Sequence, residues 1–104
     1  MGGTVSQAEL EQLIVAATRE LAAEQGIEVA SNLDAGTRLF GDGGLLDSMA
    51  LVSLVIAVEQ AVEEKYDSPV ALADEKALSQ RSSPYRTIGT LAAYAAQELA
   101  ARRT

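Results

Sequence analysis

The 104-residue sequence contains no cysteine and no histidine, and aromatic residues make up only 4% of it. Without cysteine, the chain can form no disulfide and no thiolate–zinc site, and it supplies no thiol nucleophile. Without histidine, it lacks the commonest general base and metal ligand, so no serine can be activated by a Ser-His-Asp triad. We therefore expect no metal site, because the thiolate and imidazole ligands are both absent.

Basic residues are also scarce, with 8 Lys and Arg against 15 Asp and Glu, which gives a formal net charge of −7. This charge opposes nucleic-acid binding and favours partners that offer a basic surface. No stretch approaches the roughly 20 apolar residues of a membrane-spanning helix, and the N-terminus lacks the pattern of a secretory signal. We expect a cytoplasmic protein with no membrane span and no nucleic-acid partner.

Hydrophobic residues nevertheless make up 48% of the chain, and three segments place them at helical spacing. At about 100° per residue, each set falls on one helix face. The sets are Leu10, Leu13, Ile14, Ala17 and Leu21; Leu51, Leu54, Val55, Val58 and Val62, extended by Tyr66; and Ile88, Leu91, Ala92, Ala95 and Leu99. The spacing predicts helices over 6–25, 47–66 and 87–102.

Capping residues precede each predicted helix, and Ser6, Asp47 and Thr87 are the expected N-caps. Glu9, three residues after Ser6, completes the pattern of a capping box. Met1-Gly2 followed by Ser6 also matches an N-myristoylation pattern, but the amphipathic run behind Ser6 favours the cap.

The segments between the helices are long and rich in turn residues. The 26–46 connection holds several glycines, and a loop of that length usually has a functional reason. Residues 74–78 could form a short additional helix between two proline-containing turns. We predict an all-α fold: one domain over 1–104 with a flexible 1–5. It forms a small four-helix bundle of three main helices and a short third one, with the long loop between the first two, and it is monomeric.

The most informative stretch runs from Leu39 to Met49, where a glycine-containing loop delivers Ser48 to the first turn of the second main helix. Ser48 is a poor nucleophile without a base. A phosphate ester on its hydroxyl would, however, lie at the positive end of the helix dipole. Ser48 is therefore interpreted as an attachment point that another enzyme modifies.

The run Gly44-Leu45-Leu46-Asp47-Ser48-Met49 resembles the Asp-Ser-Leu signature of acyl carrier proteins, and the order of elements is similar over nearly the whole chain. The resemblance implies a four-helix bundle without catalytic activity. Ser48 would bear a 4′-phosphopantetheine arm, transferred from coenzyme A by a phosphopantetheinyl transferase, and Asp47 would cap the helix and help present Ser48. The arm would supply the thiol that the chain lacks.

The resemblance also implies a function and partners. The arm would hold acyl or aminoacyl intermediates as thioesters and present them to acyl ligase or synthase enzymes of fatty-acid, polyketide or related biosynthesis, which dock through basic or apolar surfaces. Carriers of general fatty-acid synthesis usually place acids just after the attachment serine. Here the positions are Ala50, Leu51, Val52 and Ser53, so a specialised stand-alone carrier is expected.

A second stripe of apolar residues lies roughly 100–160° from the core stripe of the second main helix. We call its members Met49, Val52 and Ile56 the apolar strip. One interpretation makes the strip a partner-docking surface flanked by Glu59, Glu63 and Glu64. The alternative makes it part of a wide core face that the long loop covers.

Two other function classes are weaker. The chain could be an unmodified interaction module that binds a partner through the apolar strip, because Asp-Ser is an ordinary helix start. An enzyme built on the loop carboxylates Asp34, Asp42 and Asp47 is disfavoured, because their spacing fits no EF-hand. Tyr66, Tyr85 and Tyr94 are expected to pack at element ends with their hydroxyls in water.

Overall fold

The described residues form an all-α fold. The computed structural model describes residues 6–29, 32–40, 44, 46–72 and 85–103. The helices are α1 (Gln7–Gln25), α2 (Ser48–Tyr66) and α3 (Ile88–Arg103). The all-α prediction is confirmed, and each helix agrees with its predicted range to within one residue at either end.

Two sequence predictions concern residues outside the described ranges. The flexible segment 1–5 and the short helix over 74–78 lie outside the described residues, and the part that is described forms a bundle of three helices. The described residues contain no strand, only an isolated antiparallel bridge between Arg38 and Thr87. None of the helices in the described ranges is both long and apolar enough to cross a membrane.

Helix α1 is central, because it packs against both α2 and α3. The predicted stripes supply the core: every member is buried except Leu13 and Tyr66, which pack against it partly exposed. The remaining core consists of Ala50 in α2 and of buried side chains in the connections, which are Leu39, Leu46, Val70, Leu72 and Tyr85. The long loop between α1 and α2 therefore contributes Leu39 and Leu46 to the core.

The capping box predicted at the start of α1 is wrong. Ser6 has the extended backbone of an N-cap, but its side chain makes no capping hydrogen bond. Glu9 instead reaches the end of α2, where its Oε2 accepts a hydrogen bond from the Tyr66 hydroxyl at 3.3 Å and lies 3.7 Å from Lys65 Nζ. Partial burial raises the pKa of Tyr66, and the charge and hydrogen bond of Glu9 raise this pKa further.

The second half of the long loop is fastened to the start of α3. Ile88 N donates to the Thr37 carbonyl at 3.1 Å, and Gly89 N donates to the Ala35 carbonyl at 2.8 Å. These amides belong to the first turn of a helix, which has no intrahelical partners for them. A Cβ on Gly89 would lie 3.0 Å from the Ala35 oxygen, so a glycine allows this close approach.

The N-cap predicted at Thr87 is present and reciprocal. Thr90 N donates to Thr87 Oγ1 at 3.0 Å, and Thr87 N donates to Thr90 Oγ1 at 3.0 Å. Thr90 therefore occupies the place that Glu or Gln takes in a standard capping box.

Leu72 ties the connection after α2 to the core through both of its backbone polar groups. Its N–H donates to Glu59 Oε2 at 2.5 Å, and its carbonyl accepts a hydrogen bond from the Tyr85 hydroxyl. Tyr85 is completely buried and packs edge-to-face on Tyr94, with ring centroids 6.2 Å apart. The expectation that the tyrosine hydroxyls reach water is therefore wrong for Tyr85.

We predict that Tyr85→Phe lowers the free energy of unfolding by about 1–3 kcal/mol, because it leaves the buried Leu72 carbonyl without its donor. Urea denaturation followed by circular dichroism measures the change. A stability equal to that of the parent would mean that the hydroxyl contributes nothing to holding Leu72.

Candidate functional site

The site predicted from the sequence lies at the start of α2. Ser48 is the first residue of the helix, and Asp47 is its N-cap with an extended backbone. Asp47 Oδ1 accepts a hydrogen bond from Ala50 N at 2.8 Å, and the Asp47 carbonyl accepts one from Leu51 N at 2.9 Å. Asp47 thus satisfies two amides of the helix start and fixes the backbone of its first turn.

Leu46, the residue before Asp47, is held by two successive backbone hydrogen bonds. Leu46 N donates to the Leu39 carbonyl at 2.9 Å, and Leu39 N donates to the Arg86 carbonyl at 2.8 Å. The Leu39 side chain is fully buried, and that of Leu46 is also in the core. The backbone position of Ser48 is therefore set by contacts to the approach to α3 and to the core rather than by the loop alone.

Gly44 lies against the backbone of Phe40. A Cβ built on Gly44 would come within 2.8 Å of the N, Cα and C atoms of Phe40, closer than real Cβ contacts. Any other residue would have to push the main chain aside. A glycine at position 44 therefore allows this close approach to the Phe40 backbone.

The apolar strip lies on the surface. Met49 is 81% exposed, Ile56 43% and Val52 39%, and these are the exposed large hydrophobic side chains of the described residues. These values favour the surface interpretation over the one that makes the strip part of a wide core face. A role of the strip in partner binding stays a prediction.

The acidic residues predicted to flank the strip differ in their surroundings. Glu63 and Glu64 are exposed, whereas Glu59 is half-buried and holds the Leu72 amide. Glu59 therefore has a structural role that the helical wheel does not reveal, because its partner lies in a connection without a sequence pattern.

Sequence reasoning missed a groove between α1 and α2. Its volume is about 410 Å³, and its walls include Leu13, Ala16, Glu20, Ser53, Ala57 and Ala61. Ser53, Ala57 and Ala61 recur every four positions and therefore lie on one side of α2. A row of such small side chains in the sequence could have predicted a groove on that side. The groove and the strip lie on different sides of α2, since adjacent residues of a helix differ by about 100°.

Within the described ranges, no three Asp or Glu side chains come close enough together to hold a metal ion. Comparison with protein families, with curated proteins and with solved structures finds no match to this chain.

We predict that Asp47→Ala lowers the free energy of unfolding by about 1 kcal/mol, because it removes the cap on Ala50. Asp47→Asn is the matched variant, since its side-chain oxygen still accepts that hydrogen bond, and it should retain most of the stability. Urea denaturation of the three proteins compares them. Equal losses in both variants would assign the effect to the negative charge rather than to the cap.

A second prediction concerns Gly44. Gly44→Ala should destabilise the protein by about 1–3 kcal/mol, because the new methyl group collides with the Phe40 backbone. Gly36→Ala is the control in the same loop, where a Cβ would meet only Asp34 Oδ1 at 3.5 Å, an ordinary contact. Thermal unfolding followed by circular dichroism separates the two. Similar melting temperatures would show that the loop relaxes around the added methyl group without cost.

Proposed function

We propose that this chain is an acyl carrier protein. In this proposal Ser48 bears a 4′-phosphopantetheine arm whose terminal thiol holds acyl or aminoacyl groups as thioesters. The observation that carries it is the position of Ser48: the first residue of a capped helix, beside an exposed apolar strip, at the end of a loop anchored in the core.

The start of α2 suits a phosphodiester. The group carries a negative charge, and the N-terminal end of a helix offers backbone amides and the positive end of the dipole. Asp47 takes up one amide, that of Ala50, at 2.8 Å. Its carboxylate is exposed to water, which screens its repulsion of a neighbouring phosphate.

Attachment is an exchange of phosphate esters performed by a phosphopantetheinyl transferase. The Ser48 oxygen forms a bond to the phosphorus that carries the pantetheine of coenzyme A. The pyrophosphate bond breaks, adenosine 3′,5′-bisphosphate leaves, and the hydroxyl proton passes to a base of the transferase. The chain itself positions Ser48. Asp47 caps the first turn of α2, and the Leu39 carbonyl accepts the Leu46 N–H.

The imported thiol gives a chemical reason for a carrier without cysteine. Thioester chemistry needs a thiol, and this sequence provides none. We propose a monomeric, cytoplasmic carrier for fatty-acid, polyketide or related biosynthesis, loaded and used by acyl ligase or synthase enzymes. The lack of acids between Ser48 and Val58 supports a specialised stand-alone carrier.

The exposed apolar strip favours a second candidate, an unmodified module that binds a partner protein through α2. Exposed hydrophobic residues grouped on one helix face often mark interaction sites. The two candidates differ in one property, because only the carrier accepts the arm.

The test is intact-mass measurement after incubation with coenzyme A and a broad-specificity phosphopantetheinyl transferase, with Ser48→Ala as the control. We expect the parent to gain the mass of one phosphopantetheine and the variant to gain none. If the folded parent gains no mass, the interaction module becomes the better explanation. A gain in both proteins would place the attachment at another residue.

A further inference from the structure

We propose that the transferase that modifies Ser48 recognises this chain by apolar contact with the strip, through a cleft lined by uncharged side chains rather than a patch of Lys and Arg. This inference depends on the proposed function, since it concerns the same site. It adds the kind of surface that the enzyme must present.

The position of the strip identifies what covers it. Val52 and Ile56 follow Ser48 by four and eight residues, so they lie on neighbouring parts of one helix side, about 6 and 12 Å along the axis from Ser48. A specific protein interface covers about 800 Å² on each partner. An interface of this size that is centred on Ser48 extends over Val52 and Ile56.

The charges of α2 exclude a basic patch at the centre of this interface. No residue from Ser48 through Val58 is charged. The first acid of the helix, Glu59, is half-buried and accepts the Leu72 N–H at 2.5 Å. Lys or Arg side chains placed over Val52 and Ile56 would lose water without gaining a counter-ion there, which is unfavourable. Asp47 is exposed, but it precedes Val52 by five residues and therefore lies about 140° around the helix from it.

The next acids lie too far along the helix to provide that counter-ion. Glu63 stands about 10 Å along the axis from Ile56, the last residue of the strip, and about 22 Å from Ser48. Interactions between exposed charges are largely screened beyond about 8 Å at physiological ionic strength. Glu63 and Glu64 can therefore meet basic residues only at the rim of the interface, where ion pairs contribute little affinity.

The exposed side chains of the strip can supply the missing affinity. Burial of the exposed parts of Val52 and Ile56 removes apolar area from water, which is favourable in proportion to the area. Met49, 81% exposed, has a flexible thioether side chain that adapts to an irregular cleft. We infer that Val52 and Ile56 are the central contacts and that Met49 closes the side nearest Ser48.

The experiment measures kcat and KM of a broad-specificity phosphopantetheinyl transferase on four proteins. They are the parent, the double variant Val52→Thr/Ile56→Thr, the variant Val52→Glu, and the control Gln97→Glu. The threonine pair removes apolar contact without adding charge. Gln97 is exposed on α3, so its replacement by Glu adds the same charge as Val52→Glu on a helix that does not carry the strip.

We expect the double threonine variant and Val52→Glu each to raise KM about tenfold with little change in kcat, because docking contacts act on binding rather than on the transfer step. Gln97→Glu should match the parent. Circular dichroism must show the same helicity in all four proteins.

Other results would overturn the inference in distinguishable ways. If only Val52→Glu raises KM, and high salt removes the effect, recognition is ionic. If neither strip change raises KM while the parent is modified, the transferase does not use the strip, and the proposed function stands without it. If the parent is not modified, the proposed function fails and the inference fails with it.

Discussion

The position of the candidate attachment site depends on the main chain of Leu39. Its N–H donates to the Arg86 carbonyl, its carbonyl accepts the Leu46 N–H, and its side chain is fully buried. One residue therefore joins the long loop, the approach to α3 and the approach to α2. Hydrogen bonds of this kind are worth about 0.5–1.5 kcal/mol each, but leaving buried backbone groups unpaired costs more, so the three segments are held together.

Helix α2 serves different purposes on its different sides. Leu51, Leu54 and Val58 face the core, the apolar strip faces solvent, and a row of small residues lines the groove toward α1. Glu59 lies near the strip, yet its side chain has a structural role, because its carboxylate accepts the Leu72 N–H. A single amphipathic helix can thus be both a wall of the core and a surface for partners, since 3.6 residues per turn present several distinct sides.

The helices could be predicted from the sequence, but the hydrogen bonds that position the start of α2 could not. Apolar spacing located α1, α2 and α3, and the capping residues Asp47 and Thr87 marked two starts, because these signals are local. Glu9 looked like part of a capping box, yet its partners Lys65 and Tyr66 lie at the end of α2. The Leu39–Arg86 bond and the Tyr85–Leu72 bond involve backbone atoms of distant residues, which leave no pattern in residue types. The proposed carrier function rests on the resemblance and on the position of Ser48.

The hydrogen bond between Leu39 and Arg86 also affects the stage of folding at which the start of α2 is anchored. Residues 39 and 86 are far apart in sequence, and a contact between distant residues forms only after the loop between them has closed. A chain still being synthesised has no Arg86 carbonyl to accept the Leu39 N–H until residue 86 has been added. The hydrogen bond that anchors Leu39, and through it Leu46, therefore requires the residues just before α3. Under the proposed function, a transferase that needs this geometry would act on Ser48 only after those residues have joined the fold.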